Sequence, residues 1–216
     1  MKYHKITKIL SFLLISFTLI SCGSVPVNLQ LAKKNVVKYY ESGEYSNDLK
    51  KIISDAEDDI NKIKLQTNSA VVFDVDETSL SNYESIKKIY FGYDPQKWDN
   101  WINEAKAPAI PEVKQFYDFL IMKKVKVIFL SSRKGSQYDV TYRNLKQAGY
   151  LEFDTLILKS NSDSNPTSLA FKSRQRELLT QKGYEIIADI GDQKSDLEGN
   201  DHGIQIKLPN YLYIIE

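Results

Sequence analysis

The chain has 216 residues, enough for one well-cored domain with decorations and too few for two ordinary ones. Lys and Arg total 29 against 28 Asp and Glu, a balance that excludes a global electrostatic pull toward nucleic acid or an anionic membrane. The single cysteine excludes an intrachain disulfide and a cysteine-based zinc site, so function must be sought in a local, cysteine-free cluster.

Residues 1–22 open with Lys2, Lys5 and Lys8, continue through an apolar run from Ile9 to Ile20, and end in Leu19-Ile20-Ser21-Cys22. The run is short against the roughly 20 residues of a spanning helix, and the layout is that of a secretory signal. Its last four residues resemble the lipobox of bacterial lipoproteins, which implies cleavage before Cys22 and lipidation of that residue, palmitate included. An uncleaved anchor and a plain export signal are the alternatives. The expectation is an exported bacterial lipoprotein, held by Cys22 to a membrane facing the periplasm or the cell surface.

Residues 23–67 form a helical extension with no assigned role. A first pattern, Asn28–Ser42, sets Leu29, Leu31, Val36, Val37 and Tyr40 largely on one side and stops at Gly43. A second, Ser46–Gln66, spaces Leu49, Ile52, Ile53, Ala56, Ile60 and Ile63 as an amphipathic helix laid on a core.

The stretch from Ala70 to Leu80 follows. Val71, Val72 and Phe73 read as a fully buried strand that stops abruptly in acid at Asp74 and Asp76. Alternation turns those two carboxylates the same way, which is tolerable with a cation between them or a proton on one. The bland alternative makes both of them turn formers, with Thr78 or Ser79 capping the next helix.

A helical stretch Ser81–Tyr90, a loop Phe91–Gln96, a helix opening near Lys97 with Trp98 and Trp101 on one face, and a helix Pro111–Lys123 lead to a second strand. That strand starts at Val125 and ends in Leu130-Ser131-Ser132-Arg133. Next come a helix Gln137–Ala148, a strand Leu156–Lys159, a polar loop Ser160–Ser168 and a helix Leu169–Gln181 carrying Lys172. A fourth strand, Tyr184–Ile190, runs into Gly191-Asp192, and Ile204–Leu208 is a fifth. Strands alternating with helices predict an α/β fold, a doubly wound Rossmann-like parallel sheet with helices on both faces. Ligands bind such sheets at the carboxyl ends of the strands, where Asp74, Ser131 and Asp192 would converge.

Phosphoryl transfer needs a nucleophile, a cation, fixed donors for the phosphoryl oxygens, and an acid for the leaving group. Asp74 is the expected nucleophile and Asp76 the acid/base, a role that asks for a raised pKa. Ser131 and Lys172 would hold the phosphoryl group. Asp192 and Asp196, four apart, add oxygen ligands of the kind that suit Mg²⁺ better than zinc.

Asp74-Val-Asp76-Glu-Thr-Ser, Leu130-Ser131-Ser132-Arg133, Lys172 and Gly191-Asp192-x-x-x-Asp196 resemble, in order, the four motifs of the haloacid dehalogenase-like phosphatases. Ser79-Leu-Ser-Asn82, Lys97-Trp-x-x-Trp101, Phe171-Lys-Ser-Arg174 and Lys207-Leu-Pro-Asn210 are similar to the class C acid phosphatases and their plant acid phosphatase and vegetative storage protein relatives. The resemblance implies a phosphatase core over 68–216 with a small helical cap at about 80–124, inserted after the first strand. It implies magnesium ligands at Asp74, at Asp76 through its backbone carbonyl, and at Asp192. Asp196 and Arg133 take supporting roles, and Asn82, Trp98 and Tyr213 take the substrate pocket. It further implies hydrolysis of phosphomonoesters such as 5'-nucleotides, with no nucleic acid polymer as partner and the oligomeric state open, a dimer among the options. A non-catalytic storage or surface protein on the same fold, and a phosphotransferase, remain as alternatives. Ser131-Ser132 stands where Thr followed by Gly or Asn is common, which leaves open which hydroxyl faces phosphate, and Tyr211 replaces a usual Pro.

Overall fold

A computed structural model describes residues 26–160 and 167–215. The leader with Cys22 and most of the polar loop around 160–168 lie outside the described residues.

Five strands, β1 (Ser69–Phe73), β2 (Lys126–Lys134), β3 (Thr155–Lys159), β4 (Glu185–Gly191) and β5 (Ile204–Lys207), form one parallel sheet in the order β3-β2-β1-β4-β5. Helices α1 (Leu29–Glu41) and α2 (Glu44–Lys62) precede β1, and α3 (Tyr83–Lys88), α4 (Pro95–Glu104) and α5 (Pro111–Met122) join β1 to β2. Helix α6 (Tyr138–Gln147) joins β2 to β3, α7 (Ser168–Gln181) joins β3 to β4, and the short α8 (Lys194–Leu197) follows β4.

Alternation along the strands divides the core in two. Val71, Phe73, Val127 and Phe129 pack with Leu49 and Ile53 of α2 and with Val113 and Phe116 of α5. Ala70, Val72, Ile128 and Leu130 face the other way and pack with Phe171 and Leu179 of α7. Every residue of β1 is buried, as a central strand covered on both faces requires. The doubly wound architecture expected from the sequence is therefore present. The chain steps outward from β1 to β3 and then returns to β4 on the other side, so the topological switch lies between β1 and β4. The crevice at their carboxyl ends holds Asp74 and Asp192.

Several boundaries differ from expectation for local reasons. Gly43 does not merely stop α1; its left-handed φ of 91° makes it the hinge from which α2 starts at once. Helix α4 begins at Pro95, because proline fits the first helical position and the Asp94 side chain accepts from the amides of Gln96 and Lys97. Helix α3 ends at Lys88, since Tyr90 and Phe91 both take left-handed backbone. Strand β2 ends at Lys134, one residue beyond the expected Arg133, after a bulge between Ser131 and Lys134.

Helix α2 buries Leu49, Ile53, Ala56 and Ile60 in the same cluster as β1, so it is laid on the core as its amphipathic spacing predicts. Within the expected cap at 80–124, only α3 and α4 stand over the strand ends. Helix α5 buries Val113, Phe116, Tyr117 and Leu120 and is the crossover that covers the sheet.

Candidate active site

The crevice opens into a cavity of about 520 Å³. Its floor carries Asp74, Asp76, Ser131, Ser132, Lys172 and Asp192. Each arrives from a strand end or from α7, which is why residues so far apart in sequence meet.

Asp74 continues the alternation of Ala70 and Val72 and so faces α7. There Lys172 Nζ donates to Asp74 Oδ1 at 2.5 Å and to Asp196 Oδ1 at 2.5 Å. Burial pushes the Asp74 carboxyl well up; Lys172 opposes this, while Asp196, Asp192 and Asp76 add to it. Burial works against the charge on Lys172, but Asp196 and Asp74 more than offset it and hold the ammonium above its usual range. One cation thus ties two carboxylates together in a site with no water-like screening.

Asp196 is placed from two sides. Its carboxylate accepts from the Gln193 amide at 2.8 Å, capping α8, and a Cβ at Gly191 would collide with it, so only glycine permits this approach. Arg176, fully buried one turn beyond Lys172 on α7, donates to the carbonyls of Asp196, Glu198 and Asn200 and stands 3.8 Å from Asp189. The loop after α8 is therefore pinned from beneath by a guanidinium.

Among the described residues no cation pairs with the Asp192 carboxylate, although Lys207 Nζ donates to the residue's backbone carbonyl at 2.7 Å. The carboxylate oxygens accept from Gln193 Nε2 at 2.5 Å, Asn210 Nδ2 at 2.6 Å and Thr78 Oγ1 at 3.2 Å, and burial, with the Asp196 charge, pushes Asp192 up to about 7. Oxygens of Asp74, Asp192 and Asp196 lie within 4.8 Å of one another, all three residues buried. An all-carboxylate, partly uncompensated set fits a hard divalent ion. Because Lys172 already occupies the space between Asp74 and Asp196, Asp74 and Asp192 are the pair free to hold it.

Asp76 is turned elsewhere. Arg133 grips it with Nε on Oδ2 at 2.9 Å and an Nη on Oδ1 at 2.6 Å, and Asn82 Nδ2 donates to Oδ1 at 2.8 Å. The Asp76 carboxylate therefore stands outside the acidic triad, which leaves its backbone carbonyl for the ligand role expected of it. Asn82, expected in the substrate pocket, is instead fully buried beneath it. Its amide oxygen accepts from Trp101 Nε1 at 2.7 Å, and its nitrogen also donates to Glu77 Oε2 at 3.2 Å. It positions Asp76 and links it to the cap.

Of the two tryptophans, Trp98 lines the cavity and Trp101 packs against the core. Tyr213 also lines the cavity, with its hydroxyl donating to Glu77 at 2.5 Å. Glu77 escaped notice in the sequence. Burial and the Asp76 charge push it up to about 7, and its backbone sits at φ 54°, a strained position held by the surrounding loop. The motif Asp-Val-Asp-Glu contained it, but nothing local distinguished it from a solvated acid. The two serines divide: Ser131 Oγ accepts from the Arg133 amide at 3.2 Å, whereas Ser132 Oγ is buried with no protein partner among the described residues. A buried hydroxyl without a partner is costly, and a phosphoryl oxygen in the cavity would satisfy it.

The sequence model of the HAD superfamily, subfamily IIIB (Acid phosphatase), matches residues 21–216, which includes α1 and α2. The chain belongs to this acid phosphatase family. Its reaction class is phosphomonoester hydrolysis, and the resemblance read from the motifs is confirmed. It is similar to the Stem 28 kDa glycoprotein of Glycine max, 37% identical over 185 residues, which cover 83% of this chain and 73% of that protein. It is 34% identical to Acid phosphatase 1 of Solanum lycopersicum over 148 residues, 67% of this chain and 58% of that one. Among solved structures, the class C acid phosphatase of Bacillus anthracis with tungstate bound superposes with a TM-score of 0.71 at 26% identity, over 86% of this chain and 85% of that one.

Proposed function

We propose that this acid phosphatase is a magnesium-dependent enzyme that works through an aspartyl-phosphate on Asp74, acting outside the cytoplasm on monoesters with an apolar or aromatic leaving group, 5'-nucleotides among them. The observation that carries the proposal is the buried Asp74, held by Lys172 beside Asp192 at the switch point of the sheet.

The Asp74 carboxylate attacks phosphorus, the ester bond breaks, and the leaving oxygen takes its proton from Asp76. Asp76 then takes a proton from water, which attacks phosphorus, releasing orthophosphate and the free Asp74 carboxylate. Lys172, Ser131 and Ser132 hold the phosphoryl oxygens through both steps. Arg133 and Asn82 fix the rotamer of Asp76, so the proton carrier stays over the reacting oxygen. Asp74, Asp192 and the Asp76 carbonyl would hold Mg²⁺, which when bound neutralises charge on the phosphoryl group. The tungstate of the Bacillus anthracis enzyme, a tetrahedral oxyanion, supports a phosphate-shaped site.

The cavity walls, with Ile86, Phe91, Trp98 and Tyr213, support a broad, flat leaving group. The purified protein with magnesium is expected to release phosphate from mononucleotides and aryl phosphates faster than from glycerol phosphate. Equal rates across such a panel would remove the role given to the aromatic wall.

Magnesium should also alter stability in a pH-dependent way. Asp192 is pushed up to about 7 and Asp189 to about 6, both mainly by burial. A carboxyl raised in the folded state favours folding while protonated, and costs stability as pH climbs from its unfolded value through its folded one. The metal-free protein is therefore expected to lose thermal stability between about pH 4 and about pH 7. Added magnesium should recover most near the upper end, where Asp74 and Asp192 can ionise around it. Protection of equal size at both ends, followed by thermal unfolding, would contradict the ligand assignment.

Export and lipidation at Cys22 complete the proposal. No helix among the described residues is long and apolar enough to cross a membrane. The sole cysteine stands at the end of the leader, and a related stem protein is a glycoprotein, a modification of secreted chains. Cys22→Ser should move the protein from the membrane to the soluble exported fraction; unchanged membrane attachment would favour an uncleaved anchor.

A further inference from the structure

Helix α1 has no fully buried residue, yet it touches both walls of the cavity. Tyr40 stacks on Tyr83 of α3 with ring centroids 4.8 Å apart and planes 11° from parallel. Tyr39 meets Tyr211 edge to face at 4.9 Å, and the Tyr211 amide donates to the Tyr40 hydroxyl at 3.4 Å. Glu41, the last residue of α1, accepts from the Tyr83 hydroxyl at 2.8 Å and pairs with Lys87. A separate apolar cluster results. It joins Val36 and Tyr40 of α1 to Tyr83, Ile86 and Phe91 on one side and to Leu212 and Tyr213 on the other.

Four of those residues, Ile86, Phe91, Leu212 and Tyr213, also face the cavity. The cluster is thus a partition with the leaving-group space on one side and α1 on the other. The tail beyond β5 needs such a partition. Residues 208–215 contain no helix or strand, Tyr211 is 62% exposed and Ile214 is 82% exposed. A segment with so few backbone bonds of its own sits at the low end of local stability, and its order depends on side-chain contacts.

We propose that α1 is a positioning element for substrate selection: Tyr39 and Tyr40 clamp the C-terminal tail and α3 together, and the apolar wall of the cavity keeps its shape only while this clamp holds. Selectivity for a bulky, flat leaving group is then set in part by tyrosines that never touch substrate. The selectivity half of this proposal rests on the phosphatase mechanism above; the clamp itself does not.

Tyr39→Ala and Tyr211→Ala test it. Both positions lie on the outer side of the cluster, and neither lines the cavity, so the fold and the catalytic groups stay in place. Amide hydrogen exchange over residues 209–215 is expected to speed up by about tenfold in each variant. The KM for an aryl phosphate should rise about fivefold with kcat nearly unchanged, while the KM for glycerol phosphate stays put. Tyr211→Phe, which keeps the ring, should behave as wild type. Unchanged exchange in both alanine variants would overturn the clamp. Faster exchange with equal KM changes for both substrates would overturn its role in selection. A wild-type protein that hydrolyses neither ester would sink the mechanism, and the exchange measurement would still decide the clamp.

Discussion

Asp74→Asn is expected to lower kcat by about 10⁴-fold or more while leaving the fold intact. The amide keeps the shape and the hydrogen bond from Lys172 but cannot attack phosphorus. The same substitution should not weaken the protein. Burial, reinforced by Asp196, Asp192 and Asp76, already pushes the Asp74 carboxyl well up, so the charged form is held at a cost. A neutral isostere removes that cost, and the variant should melt at or above the metal-free wild type near neutral pH, a trade of stability against activity common at such sites. Steady-state rates and thermal unfolding on the same sample check both halves. Loss of activity accompanied by unfolding would mean that Asp74 is chiefly a structural partner of Lys172.

Lys172→Met is expected to fail in the opposite manner, losing activity and stability together. Lys172 is 3% exposed and its ammonium bridges Asp74 and Asp196, so its removal strands two buried carboxylates beside Asp192. Breaking a buried pair from one side costs about 3–5 kcal/mol. Loss of one fixed donor to a phosphoryl oxygen costs about 10²–10³ in kcat. The carboxylates can escape by taking protons, so the destabilisation should be smallest in acid and grow as pH rises through the range in which they ionise. Chemical denaturation at two pH values measures this. A stability loss independent of pH would mean that Lys172 acts through packing alone.

The sequence carried the catalytic floor well because its signals are local. A buried strand that ends in acid, twice, and a lysine on the helix between them need only alternation and connectivity to converge, and β1, β4 and α7 bring Asp74, Asp192 and Lys172 together. Periodicity told that α2 and α5 each bury a face, but not against what. The spacing of α2 predicts a helix laid on a core, which is where it packs, whereas the family resemblance puts α5 in the cap and it too lies on the sheet. Asn82 was flagged by a motif, yet its direction depends on Trp101, Glu77 and Asp76, whose geometry the left-handed residue Glu77 sets. The contacts of α1 were the least legible. Tyr40 and Tyr211 are 171 positions apart, and tyrosine stripes at helical spacing do not name their partners.

The most direct test of the central claim is to quench the enzyme during turnover, reduce it with borohydride, and map the modified residue by mass spectrometry. An aspartyl-phosphate on Asp74 is reduced to homoserine, so the account predicts that mass change at residue 74, in the presence of magnesium and substrate and absent when either is withheld. Full turnover with Asp74 unmodified, or with the change at Asp76 or Asp192, would contradict it.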